Sequence, residues 1–174
     1  MAIECAKVLN ALGVNFKVIG NGSVNANKFE NEVGVKPFIG GLNAFLSTHP
    51  KLPDYVINAI SVSGLFSSTK LLLSYGVKPI LLEKPGAVRS DELQSLKNIA
   101  EVDKADIYIG YNRRFYSSVQ NALAMIEQDG GVRSFNFEFT EWSHRIEKQD
   151  IEKEVAHEWI ICNSSHVIDM AFFM

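Results

Sequence analysis

Residues 80–87, Ile-Leu-Leu-Glu-Lys-Pro-Gly-Ala, decide the fold, because an apolar strand there runs directly into a turn that carries a lysine. The proline after the lysine cannot continue a strand, so the strand has to end at Glu83-Lys84-Pro85. In open parallel α/β sheets, ligands bind at the carboxyl ends of the strands. The stretch therefore predicts a sheet edge that presents Lys84 to a ligand. The alternative interpretation is an ordinary surface turn with a structural Glu83–Lys84 pair.

The segments around this turn predict an α/β fold with a parallel sheet. A nearly continuous apolar run over 55–62 is typical of a strand that is buried on both faces, and 67–75 predicts the helix that leads to the strand 79–82. A strand, a helix and a strand in this order form a parallel crossover unit. Further helices are predicted over 2–12, 25–33, 42–48 and 117–128 and from Ser90 onwards, and further strands over 16–19 and 107–110.

The apolar period changes after residue 131. Phe135, Phe137 and Phe139 alternate with polar residues within 132–142, which predicts a strand with one solvent-exposed face. Such strands are typical of antiparallel sheets, so we place a domain boundary near residue 115. The charged segment 145–154 is predicted to be an exposed loop.

Composition and charge exclude several classes of partner. Apolar residues make up 47% of the 174 residues, and the net charge of −3 provides no basic surface for nucleic acid or anionic lipid. No apolar run approaches the ~20 residues of a membrane-spanning helix, and the first residues lack a signal-peptide pattern. Cys5 and Cys162 are expected to be free thiols. We therefore expect a cytoplasmic globular protein.

Three motifs follow one another in the order Glu83-Lys84-Pro85, Gly-Tyr-Asn-Arg-Arg-Phe at 110–115, and His-Val-Ile-Asp at 166–169. In this order they resemble the glucose-fructose oxidoreductase, inositol dehydrogenase and rhizopine-catabolism family (Gfo/Idh/MocA) of nicotinamide-dependent sugar oxidoreductases. The resemblance implies hydride transfer between NAD or NADP and a carbon of a sugar or sugar nucleotide. It implies no metal site.

The resemblance also implies roles for individual residues. Lys84 and His166 would be the catalytic residues, Glu83, Pro85 and Asn112 would contact the cofactor, and Arg113 and Asp169 would bind the substrate. A lysine with its free pKa of ~10.4 is a poor base near neutrality, so its pKa has to be lowered by burial or by neighbouring charges. For His166 the alternative is a helix-capping role. One of the two consecutive arginines is alternatively a salt-bridge partner.

The chain departs from the family pattern in two places. Many relatives carry an aspartate four residues before the histidine, whereas this chain has Cys162, which cannot act as the same carboxylate base. The proton relay is then expected to run through Lys84 and His166 alone, or the chemistry to differ. The chain also begins with a helix, without the strand and glycine-rich loop that bind the pyrophosphate, so we expect weak dinucleotide binding or none.

The prediction that follows is an α/β protein truncated at both ends. Residues 1–115 would form a partial Rossmann-like domain that lacks its first strand, and 116–174 would begin an α+β substrate domain. As this fragment, the oxidoreductase is expected to be inactive and to form a homo-oligomer or to pair with a complementing chain. The alternative is a non-catalytic remnant or split-chain subunit that binds a sugar ligand or a partner chain.

Overall fold

The computed structural model describes residues 1–146 and 150–174, which form two compact units, Met1–Asp54 and Tyr55–Met174. Each unit contains a parallel sheet. The domain boundary expected near residue 115 lies inside the second unit and stays a prediction. None of the helices in the described part of the chain combines the length and apolar character needed to cross a membrane.

The first unit combines helices α1 (Ala2–Ala11), α2 (Ser23–Val33) and α3 (Gly41–Ser47) with the short parallel strands β1 (Ile19–Gly20) and β2 (Phe38–Ile39). These helices confirm the predictions over 2–12, 25–33 and 42–48. Helix α2 is followed directly by Gly34, whose φ of 78° is a left-handed conformation that glycine adopts without steric cost. The strand predicted over 16–19 is shorter than expected and is displaced towards Gly20.

The second unit is built on the parallel sheet that the crossover pattern predicts. Strand β3 (Val56–Asn58) is followed by α4 (Val62–Ser74), β4 (Pro79–Leu82), α5 (Ser90–Asp103) and β5 (Asp106–Ile109). Strand β4 lies in the centre, and both of its neighbours run parallel to it. The predicted strand 79–82 is confirmed with its bounds, and the predicted helix is confirmed to begin at Ser90.

Strand β3 is shorter than its apolar run suggests. It ends at Asn58, whose buried side chain donates hydrogen bonds to the Ser68 and Thr69 hydroxyl groups of α4. The following apolar residues lead into α4, which starts at Val62 and not at residue 67. Apolar content alone does not distinguish a buried strand from the first turn of a buried helix, which is why the predicted bounds were wrong.

The chain after β5 is largely helical. A 3₁₀ helix (Asn112–Phe115) precedes α6 (Ser117–Gln128), α7 (Ser143–Ile146), α8 (Lys153–His157), α9 (Trp159–Cys162) and α10 (Ser165–Phe173). Helix α6 confirms the prediction over 117–128. The prediction of a loop over 145–154 is wrong at both ends of that range, because they belong to α7 and α8. Residues 147–149 fall outside the described residues.

The strand predicted over 132–142 is wrong. These residues form neither a helix nor a strand, and Phe135 and Phe137 are exposed. A strand exists only when its backbone N–H and C=O groups pair with another strand, and alternation in sequence does not supply that partner. Within the described residues, no strand pairs with this segment.

Strand β4 allows a direct test of the sheet. Leu82 is fully buried, whereas its neighbour Leu81 points to the other face and is 40% exposed. Leu82→Ala should lower the free energy of unfolding by roughly 2 to 5 kcal/mol, because it removes buried methyl groups and leaves a cavity. Leu81→Ala is the matched control and should cost about 1 kcal/mol or less. Denaturant unfolding measures both, and equal losses would contradict the orientation of β4.

Candidate active site

Lys84 lies at the carboxyl end of the central strand, as the sequence predicts. The Glu83 N–H donates to the Asn58 carbonyl at 2.9 Å, and the Gly110 N–H donates to the Leu82 carbonyl at 2.8 Å. The backbone hydrogen bonds of the sheet therefore continue past the ends of the strands on both sides of β4. The Glu83-Lys84 turn is therefore fixed between the ends of β3 and β5. This is the edge at which parallel α/β sheets bind ligands.

The Lys84 side chain reaches the C-terminal end of α9. Its Nζ donates hydrogen bonds to the Cys162 carbonyl at 2.9 Å and to the Asn163 carbonyl at 3.2 Å. The last carbonyl groups of a helix have no partner within the helix, so they are free to accept from a side chain. These two contacts join the turn after β4 to the segment between α9 and α10.

Burial changes the proton affinity of both residues in this turn. The pKa of Lys84 is lowered mainly because the side chain loses water, and the nearby Glu83 carboxylate opposes the change. The pKa of Glu83 is raised, again mainly by burial, with Lys84 acting in the opposite direction. A lower pKa increases the fraction of the neutral amine, which is the form that accepts a proton from a substrate hydroxyl group.

His166 is the second buried titratable group at this edge. It lies in the first turn of α10 with 9% of its surface exposed, and its ring stands edge-on to the Tyr111 ring with centroids 5.8 Å apart. Its buried Nδ1 has no hydrogen-bond partner among the described residues. Burial lowers the His166 pKa, and the positive charges of Lys84 and Arg113 lower it further, whereas Asp169 opposes them.

Asp169 contacts Arg114 instead of His166. The Arg114 Nε donates to one carboxylate oxygen at 2.8 Å, and a second guanidinium nitrogen donates to the other oxygen. Of the two consecutive arginines, Arg114 is thus the salt-bridge partner, and Arg113 is exposed. The sequence does not distinguish them, because the pairing joins residues that are 55 positions apart.

The residues expected at the cofactor differ in accessibility. Asn112 is exposed in the 3₁₀ helix, Glu83 is half-buried, and Pro85 is fully enclosed. A methyl group on Gly110 would lie 3.4 Å from the Leu82 carbonyl oxygen, so the backbone after β5 passes close to the end of β4. The unpartnered Nδ1 of His166 and the exposed Asn112 amide fit a polar ligand at this edge.

Two further residues define the surroundings of the site. Cys162 is buried, and burial raises the pKa of its thiol, so the group stays protonated and is not a base. Glu141 accepts hydrogen bonds from the side chains of Trp159, Asn163 and Ser164. Burial by itself raises the Glu141 pKa, but these three donors outweigh it and lower the pKa. Sequence reasoning missed Glu141 because no local spacing connects it to residues 159–164.

The described residues also show no group of histidine, cysteine, aspartate and glutamate side chains arranged to hold a metal ion.

Several solved structures share this fold. The putative oxidoreductase YvaA from Bacillus subtilis matches 98% of this chain and 48% of its own with a TM-score of 0.69 at 14% identity. The WlbA dehydrogenase from Chromobacterium violaceum, solved with NADH and UDP-GlcNAcA, matches 74% of this chain and 37% of its own (TM-score 0.62, 14% identity). A Gfo/Idh/MocA family oxidoreductase from Vibrio cholerae matches 66% and 36% (TM-score 0.55, 17% identity).

The chain thus spans less than half the length of each of these structures. No family model and no curated protein matches the sequence. At these identities the likeness establishes the fold, and the resemblance that the three motifs predict is confirmed at that level.

The burial of His166 predicts a pH dependence of stability. Because its pKa is lower in the folded chain, the unfolded chain takes up the proton first as the pH falls below about 6.5. The stabilisation is complete above that pH and is lost as the pH falls towards the folded pKa, with a slope of at most about 1.4 kcal/mol per pH unit. His166→Gln should remove this component of the slope in denaturant titrations between about pH 5 and 8.

His157 provides the control for this measurement, because its imidazole is exposed. The His157→Gln chain, measured under the same conditions, shows what replacement of an exposed histidine by glutamine does to the slope. An unchanged slope in the His166→Gln chain would show that His166 is solvated in the folded state.

Proposed function

We propose that the chain is a Gfo/Idh/MocA-type oxidoreductase whose second unit takes part in hydride transfer between NAD and a carbon of a sugar or sugar nucleotide. The observation that carries the proposal is that the carboxyl edge of the parallel sheet holds two half-buried or buried titratable groups, Lys84 and His166, whose pKa values are both lowered mainly by burial and which act on each other electrostatically. The WlbA dehydrogenase, with which the chain shares its fold, was solved with NADH and UDP-GlcNAcA, and this supports the choice of reactants.

Oxidation of an alcohol removes a hydride from carbon and a proton from the hydroxyl group. NAD supplies the hydride acceptor when it is bound. The proton goes to the Lys84 amine. A neutral amine has two hydrogens, and the carbonyl groups of Cys162 and Asn163 accept both, which leaves the Nζ lone pair free for the hydroxyl proton. In the charged state the third hydrogen points at the substrate oxygen, so the proton moves without rearrangement of the other two hydrogen bonds.

The remaining roles follow from accessibility and charge. The buried Nδ1 of His166 lacks a protein partner among the described residues and would be paired by a polar group of the sugar. Arg113 is exposed and cationic, which suits an anionic group such as the diphosphate of a sugar nucleotide. We assign Asn112 and the Glu83-Lys84-Pro85 turn to the nicotinamide end of the cofactor, with Pro85 supporting the turn from inside.

A non-catalytic sugar-binding or partner-binding chain is the second candidate. It is favoured by the same two hydrogen bonds from Lys84, which also serve as a structural connection between β4 and α9, and by the buried, protonated thiol of Cys162 where many relatives carry a carboxylate. In that case Lys84 would stabilise the unit and would have no role in proton transfer.

Binding of a sugar nucleotide to the chain tests the proposal at the residues that carry it. UDP-GlcNAcA added at millimolar concentration should shift the NMR signals of the Lys84 side chain and the His166 ring. Lys84→Met should weaken binding and lower any NAD-dependent turnover by about 100 to 10,000-fold, because it removes the proton acceptor. Titrations followed by NMR and formation of NADH measure the two effects.

Lys78 is the matched control, because it is exposed and precedes the opposite end of the same strand. Lys78→Met should leave both binding and turnover unchanged. Full turnover in the Lys84→Met chain would exclude Lys84 as the proton acceptor. Binding of the sugar nucleotide that is unchanged in the Lys84→Met chain would favour the non-catalytic candidate.

A further inference from the structure

We propose that the Arg114–Asp169 ion pair is a positioning device, which holds α10 so that His166 packs against Tyr111 at the edge where Lys84 lies. The inference deepens the proposed function and rests on it for the role of His166. Neither Arg114 nor Asp169 has to touch the substrate for this role.

The geometry of the pair restricts orientation as well as distance. Two nitrogens of the Arg114 guanidinium group donate to the Asp169 carboxylate, one to each oxygen. The guanidinium and carboxylate planes are therefore aligned. The Asp169 side chain is 11% exposed and that of Arg114 is 39% exposed. The pair is therefore protected from solvent on the α10 side, and it connects that helix to the 3₁₀ helix after β5.

Arg114 also contacts the two aromatic rings on either side of this connection. Its guanidinium carbon lies 4.8 Å from the Phe173 ring centroid and 5.8 Å from the Tyr111 ring centroid. His166, Asp169 and Phe173 are spaced by three and four residues, which places them on one face of α10. Arg114 thus holds the two helical turns after His166, and it also holds the tyrosine against which His166 packs.

A second ion pair of the same two residue types, Arg89–Asp91, does not connect distant segments of the chain. Arg89 binds Asp91 through two nitrogens at 2.9 and 3.0 Å, but the side chains are 57% and 66% exposed and only two residues apart. Such exposed pairs contribute little to stability because solvent screens them. The Arg89–Asp91 pair is therefore a matched control with the same chemistry.

Arg114→Lys tests the proposal, because it keeps the positive charge and removes the planar fork. We expect the nuclear Overhauser effect between the Tyr111 and His166 rings to be lost while the chain stays folded. The His166 pKa should rise towards its ordinary value of about 6.5, because solvent reaches the ring. The charges that face His166 from each side, those of Lys84, Arg113 and Asp169, stay in place. Arg89→Lys should change neither signal.

Retention of both the ring contact and the lowered pKa in a folded Arg114→Lys chain would overturn the proposal. If the Arg114→Lys chain does not fold, Asp169→Asn is used in its place, because asparagine keeps the shape of the side chain. The contact between the Tyr111 and His166 rings is then the readout. Failure of both variants to fold would assign the pair to the stability of the whole unit and would also overturn the proposal. Because neither readout needs cofactor or turnover, the result is independent of the test of the proposed function.

Discussion

Parallel pairing of β4 on both of its sides is the constraint on which the rest of the second unit depends. Leu82 pairs with Asn58 on one side and with Ile109 on the other, so the chain leaves all three strands at the same edge. The backbone bonds of Glu83 and Gly110 extend this pairing past the last strand residues. The turn that follows β4 is therefore a rigid base from which a side chain can reach α9 and α10.

The electrostatics of the site follow from burial more than from any single partner. Loss of water is the largest cause of the altered pKa of Glu83, Lys84, Cys162 and His166. Burial disfavours the charged form of every such group, whatever the sign of its charge. The carbonyl groups of Cys162 and Asn163 replace part of the water that Lys84 loses. Hydrogen bonds to these neutral groups therefore compensate part of the cost of burying the Lys84 amine.

Sequence reasoning succeeded where local pattern decides structure and failed where distant segments do. Strand β4 was predicted with its bounds, because its apolar run is followed at once by the Glu83-Lys84-Pro85 turn. The alternating phenylalanines of 132–142 predicted a strand, but pairing needs a second segment that the pattern does not contain. The Arg114–Asp169 pair was missed for the same reason, since neither neighbourhood encodes the other.

The central claim is that the sheet edge holds Lys84 in a half-buried position where its proton affinity is reduced. A pH titration of the chain with ¹³Cε-labelled lysine measures this directly, with Lys84→Met to assign the signal. The account predicts that Lys84 titrates below the ordinary lysine value of about 10.4. A titration at or above that value would contradict it and would leave the turn with a structural role alone.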